Sequence, residues 1–237
     1  MNERADDQAE NQTLLAFIPA RAGSKRLADK NIRPIAGRSL LELAIDCALS
    51  SVEIDEVALS TDSSDYVEIA AKAGHDELYR RPPSVSGDQV STADTVLDYL
   101  DWRKTQDLAP VTHLILLQPT SPLRGPQLID TMINAWRASG KPSFVSVTPA
   151  APSTGYLLIR DSDNADANIR AANPQDDVFV LDGSIFITPV EMLERERCFW
   201  NHDSGIFVNS YPRPYDVDDE LDFHAAEALI DRYRVMA

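Results

Sequence analysis

Short apolar runs recur along this chain at a spacing that only a sheet layered with helices uses. Leu14-Leu15-Ala16-Phe17-Ile18, Val57-Ala58-Leu59, His113 to Leu117, Phe144-Val145-Ser146-Val147, Ser184-Ile185-Phe186-Ile187 and Ile206-Phe207-Val208 each read as a strand. A run that is apolar at every position suits a strand covered on both faces. The intervals between them carry helical periodicity. Residues 39–50 open with Ser39 and Glu42 at capping-box spacing and put Leu40, Leu43, Ala44 and Cys47 on one face. Residues 64–73 form a helix that Gly74 can close. Another helix starts near Ser91-Thr92 and runs through Val96, Leu97 and Leu100. Pro126 opens one that passes Ile129, Met132, Ile133 and Trp136 and ends at Gly140. Two more are predicted, near 189–197 and from about Glu220 to Tyr233. Strands alternating with helices of this length predict an α/β fold, a mostly parallel open sheet flanked by helices on both faces.

Two segments fall outside that rhythm. Residues 1–12 hold four acids, one Arg and no large apolar residue after Met1, and read as a disordered tail. From Pro149 to Gln175 the chain is rich in Pro, Ala, Ser, Asn and Asp, with only Tyr156 to Ile159 strand-like. That stretch is too long for an idle loop and reads as an excursion from the sheet, a dimerisation arm over about 149–175. Residues 13–237 are therefore expected to form a single domain with an appendage.

The charge balance narrows the chemistry. Against 22 Lys and Arg stand 38 Asp and Glu, a formal net charge of −16, which argues against broad nucleic-acid binding. The longest apolar runs, such as Leu114 to Leu117, fall far short of the ~20 residues of a membrane span, and no secretory signal is visible. Cys47 and Cys198 cannot build a disulfide framework and suit a reducing, cytoplasmic setting. Cys47 lies on an apolar helix face, so a buried structural role is expected, and Trp102, Trp136 and Trp200 read as packing residues. The four histidines show no metal-ligand spacing.

Into this acidic chain is set one basic loop. From Arg21 to Arg38 there are six basic residues and one acid, net +5, which leaves −21 on the rest. The loop Arg21-Ala22-Gly23-Ser24-Lys25-Arg26 follows the first strand directly, and open α/β sheets bind ligands at the carboxyl ends of their strands. A solvated basic loop would look the same from composition alone. The placement, with Gly23 and Ser24 giving backbone approach, favours a polyanion such as a triphosphate. Neither G-x-x-x-x-G-K-[ST] nor G-x-G-x-x-G occurs. Asp216 and Asp218, two apart on an extended segment, share one face and can hold Mg²⁺, which takes one or two carboxylates plus waters and phosphates. The bland alternative is a solvated acidic turn in which Asp219 and Glu220 cap the last helix. With a phosphate loop in the same chain the metal reading prevails, and Arg21, Lys25 and Lys30 would neutralise the phosphates.

The segment Ile18-Pro19-Ala20-Arg21-Ala22-Gly23-Ser24-Lys25-Arg26-Leu27, followed by Lys30-Asn31-Ile32, resembles the signature of the acylneuraminate cytidylyltransferase (CMP-sialic acid synthetase) family. Further segments match in the same order. They are Ser60-Thr61-Asp62; Arg81-Pro82 with Asp88 and Ser91-Thr92; Gln118-Pro119-Thr120-Ser121-Pro122-Leu123-Arg124; and Asp216-Val217-Asp218 with Glu220 and Asp222. The resemblance implies a nucleotide-diphospho-sugar transferase-like fold, a homodimer, a role in cell-surface polysaccharide biosynthesis, and coupling of CTP to a nine-carbon 2-keto sugar acid of sialic, legionaminic or pseudaminic type. It implies that Arg21 contacts the phosphates with Ala20, Ala22, Gly23, Ser24 and Lys25 around them, that Lys30 adds charge, and that Asn31 holds the ribose. It implies cytosine recognition around Arg81 and Val90 with Thr92 near the ribose, though Thr92 also suits a plain helix N-cap. Gln118 would orient the sugar acid, or else serve as a strand-end amide pairing with its own loop. Arg124 pairs either with a carboxylate or with the acidic C-terminal segment. Asp216 and Asp218 would bind Mg²⁺, and either Asp216 or a base associated with the metal would take the hydroxyl proton.

Three positions depart from the family pattern. Asp182-Gly183 stands where an Asn-Gly pair is usual, Val180 where a basic residue is common, and Ala28-Asp29 where Pro-Gly precedes the lysine. The first two bear on which sugar acid is used. Enzymes for the eight-carbon acid Kdo share the Arg-x-x-Ser-x-Arg-Leu core but follow it with Gly-Lys-Pro-Leu, unlike Lys30-Asn31-Ile32 here. A nucleotide-binding protein that has lost chemistry is the other alternative, and the intact Arg21, Lys30, Gln118, Asp216 and Asp218 set argues against it.

Overall fold

The computed structural model describes residues 12–76, 79–150, 158–160, 169–171, 178–209 and 215–236. Six strands build the main sheet: β1 (Leu14–Pro19), β4 (Glu56–Ser60), β5 (His113–Leu116), β6 (Phe144–Pro149), β9 (Phe179–Pro189) and β10 (Gly205–Val208). Their spatial order is β10-β6-β9-β5-β1-β4. Neighbours pair in parallel except β9, which runs antiparallel to both β5 and β6. A short β2–β3 hairpin (Pro34–Ile35, Arg38–Ser39) precedes α1 (Leu40–Leu49). The remaining helices are α2 (Ser64–Lys72), α3 (Thr92–Thr105), α4 (Pro126–Ser139), α5 (Val190–Glu196) and α6 (Glu220–Met236). All six sequence-read strands and all six helices are present.

Both faces of the sheet are covered, which is why its strands are apolar throughout. Leu14, Ala16 and Ile18 point to one side and pack with Leu41, Ile45, Cys47, Ile129, Met132 and Trp136 from α1 and α4. Leu15 and Phe17 point to the other, against Val96, Tyr99 and Leu100 of α3 and Leu193 of α5. The capping box on α1 forms as predicted, with the Glu42 carboxylate accepting from the Ser39 amide at 2.7 Å. Gly140 closes α4 in the left-handed region at φ +65°, which only glycine adopts freely. Cys47 is buried as expected and Trp136 packs in the core, but Trp200 is 49% exposed and supports neither packing nor a cage.

A third apolar cluster matters most for the site. Val217, Phe223, Ala226 and Ile230 pack on Leu27, Ile35 and Leu40. This contact lays the segment before α6 across the loop that follows β1, so residues nearly two hundred positions apart become neighbours. Beyond Ala150 the proposed arm is described only as the antiparallel pair β7 (Leu158–Arg160) and β8 (Ile169–Ala171); β7 takes in Leu158 and Ile159 of the strand-like run, and Tyr156 and Leu157 lie outside the described residues. The rest of that stretch, and the N-terminal tail apart from Gln12, lie outside the described residues.

Candidate active site

A cleft of about 230 Å³ opens at the carboxyl ends of β1, β4 and β5. Its walls come from four loops: Arg21, Ser24, Lys30 and Asn31 after β1; Arg81 after α2; Val90 and Thr92 at the start of α3; Gln118 to Thr120 after β5. Parallel strands end side by side, so their loops must share this edge. It continues into an outer, charged part lined by Arg21, Ser24, Lys25, Arg26, Lys30, Asp88 and Asp218.

The loop after β1 is held from behind. Asn31 is buried and donates to the Arg21 carbonyl at 3.3 Å, while the Asp62 carboxylate accepts from the Ala22 amide at 2.8 Å. Gly23 at φ +72° and Asp29 at φ +53° bend it back on itself. Ala20 does not face the cleft, since its side chain is fully buried and its amide donates to the Ser60 carbonyl. Ala22 and Gly23 shape the loop without lining either part of the cleft.

Each of the two acids in the outer part is paired with two of its four cations. Asp88 pairs with Arg21 at 2.6 Å and with Lys25, and these cations hold its carboxyl below the usual range, Lys25 contributing most. Asp218 takes Arg26 at 2.8 Å and Lys30 at 3.3 Å, and Lys30 also donates to the Val217 carbonyl at 2.7 Å. The acids of 216–222 thus divide their work. Asp219 and Asp222 cap α6 through each other's amides. Glu220 takes both arms of Arg33, which also stacks over Phe223 at 4.4 Å. Glu220 is therefore an ion-pair partner and not a cap.

Asp216 is what remains. Although the residue is exposed and lines neither part of the cleft, its carboxyl is partly desolvated beside Thr120 of the cleft wall. Burial pushes its pKa up, the charge of Asp218 adds to that, and a hydrogen bond with Thr120 opposes it. Two repelling carboxylates beside a cationic loop fit Mg²⁺, a hard cation that completes its shell with waters and substrate phosphates. Among the described residues no three His, Cys, Asp or Glu side chains group as a self-sufficient metal site. The donor set therefore suits a metal bound together with a nucleotide.

On the inner wall, Arg81 is 7% exposed and fixed by the Ser60 hydroxyl at 3.0 Å and the Ser60 carbonyl at 2.7 Å. Burial lowers its pKa, and Asp62 opposes this. Ser91 caps α3 by accepting from the Asp94 amide at 3.0 Å, which leaves Thr92 free of that duty and turned to the cleft. Thr95, one turn further on the same face, lines the cleft as well and was not singled out from sequence, nor were Val85 and Gly87. The spacing of Thr92 to Thr95 is the signal that would have found it. Gln118 faces the cleft and does not serve only its own loop. Arg124 meets neither a ligand-facing carboxylate nor the acidic C-terminal segment. It is buried and donates to the carbonyls of Gln118 and Ser184. Asp182 points inward too, its Oδ1 accepting from the Ser146 hydroxyl at 2.5 Å and the Ser184 amide at 2.9 Å. Val180 is 55% exposed at the start of β9.

Comparison with known proteins agrees with this geometry. The sequence pattern of a family described as "Cytidylyltransferase" matches residues 15–167. The chain is 32% identical to a CMP-N,N'-diacetyllegionaminic acid synthase from Legionella pneumophila subsp. pneumophila, over 92% of this chain and 96% of the relative. It is 31% identical to an N-acylneuraminate cytidylyltransferase of Streptococcus agalactiae serotype III, over 88% of this chain but only 51% of that relative, so it spans about half the length of that protein. Among solved structures, a CMP:2-keto-3-deoxy-manno-octonic acid synthetase complexed with CTP superposes with a TM-score of 0.68 at 16% identity, over 94% of this chain and 100% of that one. At that identity the likeness concerns the fold alone. No helix among the described residues is long and apolar enough to cross a membrane.

Proposed function

This chain belongs to the cytidylyltransferase family, and on that premise we propose that it couples CTP to a nine-carbon 2-keto sugar acid, releasing pyrophosphate. The observation that carries the reading is the convergence of Arg21, Lys30, Arg81, Thr92 and Gln118 on one cleft with Asp216 and Asp218 at its edge. A legionaminic-type acid is the first candidate substrate, because the synthase matched over 96% of its own length carries that name.

Each residue has a task in this reading. Arg21, Lys25 and Lys30 neutralise the triphosphate, with Asn31 holding the Arg21 segment and the ribose beside it. Arg81, Val90 and Thr92 surround the cytidine. Gln118 orients the sugar acid so that its anomeric hydroxyl faces the α-phosphorus. The hydroxyl oxygen forms a bond to that phosphorus, the bond to the β-phosphate oxygen breaks, and the proton passes to the Asp216 carboxylate. Asp216 and Asp218 would hold Mg²⁺, which when bound supplies charge neutralisation on the phosphates. Such a site acts mainly by positioning and electrostatics.

A homodimer built through the 149–175 arm and a cytoplasmic location complete the proposal. The length of the excursion and the family resemblance support the first, and two free thiols support the second. The test is pyrophosphate release with CTP and Mg²⁺ against N,N'-diacetyllegionaminic, N-acetylneuraminic, pseudaminic and Kdo acids in parallel. Release with CTP and one nine-carbon acid is expected. Turnover with Kdo alone, or no CTP binding by calorimetry, overturns the reading. Gel filtration giving a monomer at micromolar concentration overturns the dimer.

A further inference from the structure

Arg124 is a buried cation that the proposed reaction does not use. It is 7% exposed, and its Nη1 donates to two backbone carbonyls, that of Gln118 at 3.2 Å and that of Ser184 at 2.7 Å. Those carbonyls come from different parts of the sheet. Gln118 lies just past the end of β5, whereas Ser184 sits in an unusual part of β9. Between the pairs Val147–Leu181 and Val145–Phe186, β9 advances five positions while β6 retreats two. The surplus residues form a bulge that Gly183 allows at φ +72°. The Ser146 hydroxyl fills it, accepting from the Ile185 amide at 2.9 Å and donating to Asp182.

The bulge has a charge inside it. Asp182 accepts from Ser146 and from the Ser184 amide, so its carboxylate is oriented within β9 and not toward solvent. The Cys47 side chain lies against the Arg124 guanidinium and is the main influence opposing the downward pull of burial on it, with a smaller contribution from the field of Asp182. Burying a guanidinium costs several kcal/mol unless charge and hydrogen bonds compensate, so an apolar side chain would hold two strands together more cheaply. A guanidinium does what an apolar side chain cannot. It fixes the direction of the Gln118 carbonyl and, with it, the side chain that leaves the same residue into the cleft.

We propose that Arg124 is a positioning residue for the sugar-acid end of the cleft, pinning Gln118 against the β9 bulge that Asp182 and Gly183 shape. This rests on the reading in which Gln118 meets the sugar acid. It also gives the Asp182-Gly183 pair a role that differs from direct contact with substrate.

The experiment compares wild type, Arg124→Lys and Asp182→Asn in steady-state pyrophosphate release, varying CTP and the sugar acid separately, with Tm recorded for each. Lysine keeps the charge but cannot reproduce the guanidinium's reach to both carbonyls. The KM for the sugar acid is expected to rise about tenfold in Arg124→Lys, the effect of one poorly satisfied buried carbonyl, while the KM for CTP stays within about twofold. A merely structural role would lower Tm and raise both KM values together, and that result overturns the proposal, as does an unchanged KM for the sugar acid. Should Arg124→Lys fail to fold, Asp182→Asn decides. Asparagine keeps the oxygen that accepts from Ser146 and Ser184 but replaces two charge-assisted hydrogen bonds by weaker neutral ones, which loosens the bulge beneath the Ser184 carbonyl, and the sugar-acid KM is expected to rise about threefold or more with CTP unaffected. No change there overturns the proposal. Wild-type turnover in the same assay separates the cases: its absence with every acid fails the functional reading and this proposal with it, whereas its presence with unselective variants fails this proposal alone.

Discussion

The carboxylate of Asp88 lies 2.6 Å from the guanidinium of Arg21 and also accepts from Lys25. An acid from the far wall of the cleft thus occupies the cations that a triphosphate needs. In the proposed reaction, nucleotide binding exchanges one anion for another on Arg21 and Lys25, and the pair must break first. Asp88→Asn is expected to tighten CTP binding by about twofold to fivefold, since exposed ion pairs are weak and little is released. Calorimetry with CTP reads this directly; weaker binding would mean that Asp88 helps to hold the nucleotide.

Removing the charges on either side of the proposed reaction has a larger effect. Arg21→Ala takes a cation from the phosphates, and Asp218→Asn takes a metal ligand while releasing Arg26 and Lys30. Each is expected to lower turnover about a hundredfold or more, with Tm almost unchanged because both side chains are part-exposed. Turnover within a few-fold of wild type in either variant would refute the phosphate and metal assignments.

Asp216 gives the site a pH signature. Burial and the charge of Asp218 raise its pKa, while Thr120 holds it down by hydrogen-bonding the ionised form. A base must be ionised, so activity is lost as pH falls through that raised value. Thr120→Val removes the restraining hydrogen bond and should move the acidic limb of kcat/KM upward. The stability sign is opposite. A carboxyl whose pKa is raised in the native state favours folding while protonated, and that contribution fades as pH climbs through the native value. An acidic limb unmoved by Thr120→Val would remove Asp216 from the proton step.

Most of the architecture was legible because each strand is a continuous apolar run and each helix carries its own start and stop. Ser39 with Glu42, Gly140 and Pro126 all act as their types suggest. The cleft followed from placement, since a basic loop after the first strand of a parallel sheet can only sit at the carboxyl edge. What sequence did not convey was pairing at long range. Asp88 on Arg21 and Arg33 stacked between Glu220 and Phe223 depend on how α6 and the α3 approach fold back over the loop, and Arg124 on the Ser184 carbonyl depends on the bulge in β9. Position 29 is instructive in the same way, because its backbone conformation gives a physical meaning to a departure from the family pattern that the letters alone left unexplained.

Asp29 has φ +53°, in the left-handed region, and its carbonyl accepts from the amides of Ile32 at 2.9 Å and Arg33 at 2.8 Å. The family pattern places glycine here, and the turn shows why: a side chain at this φ is strained, although aspartate tolerates it better than most residues. Asp29→Gly relieves about 1–2 kcal/mol of strain and adds about 0.5–1 kcal/mol of unfolded-chain entropy, so it should stabilise the protein by up to about 1 kcal/mol. The same change removes one negative charge beside Lys30, which favours the triphosphate. Asp29→Ala keeps a Cβ in the left-handed conformation and loses the aspartate's tolerance for it, so it should destabilise instead. Chemical denaturation of the two variants side by side reads the difference. A glycine variant no more stable than the alanine one would show that backbone strain at position 29 is not what the family's glycine relieves.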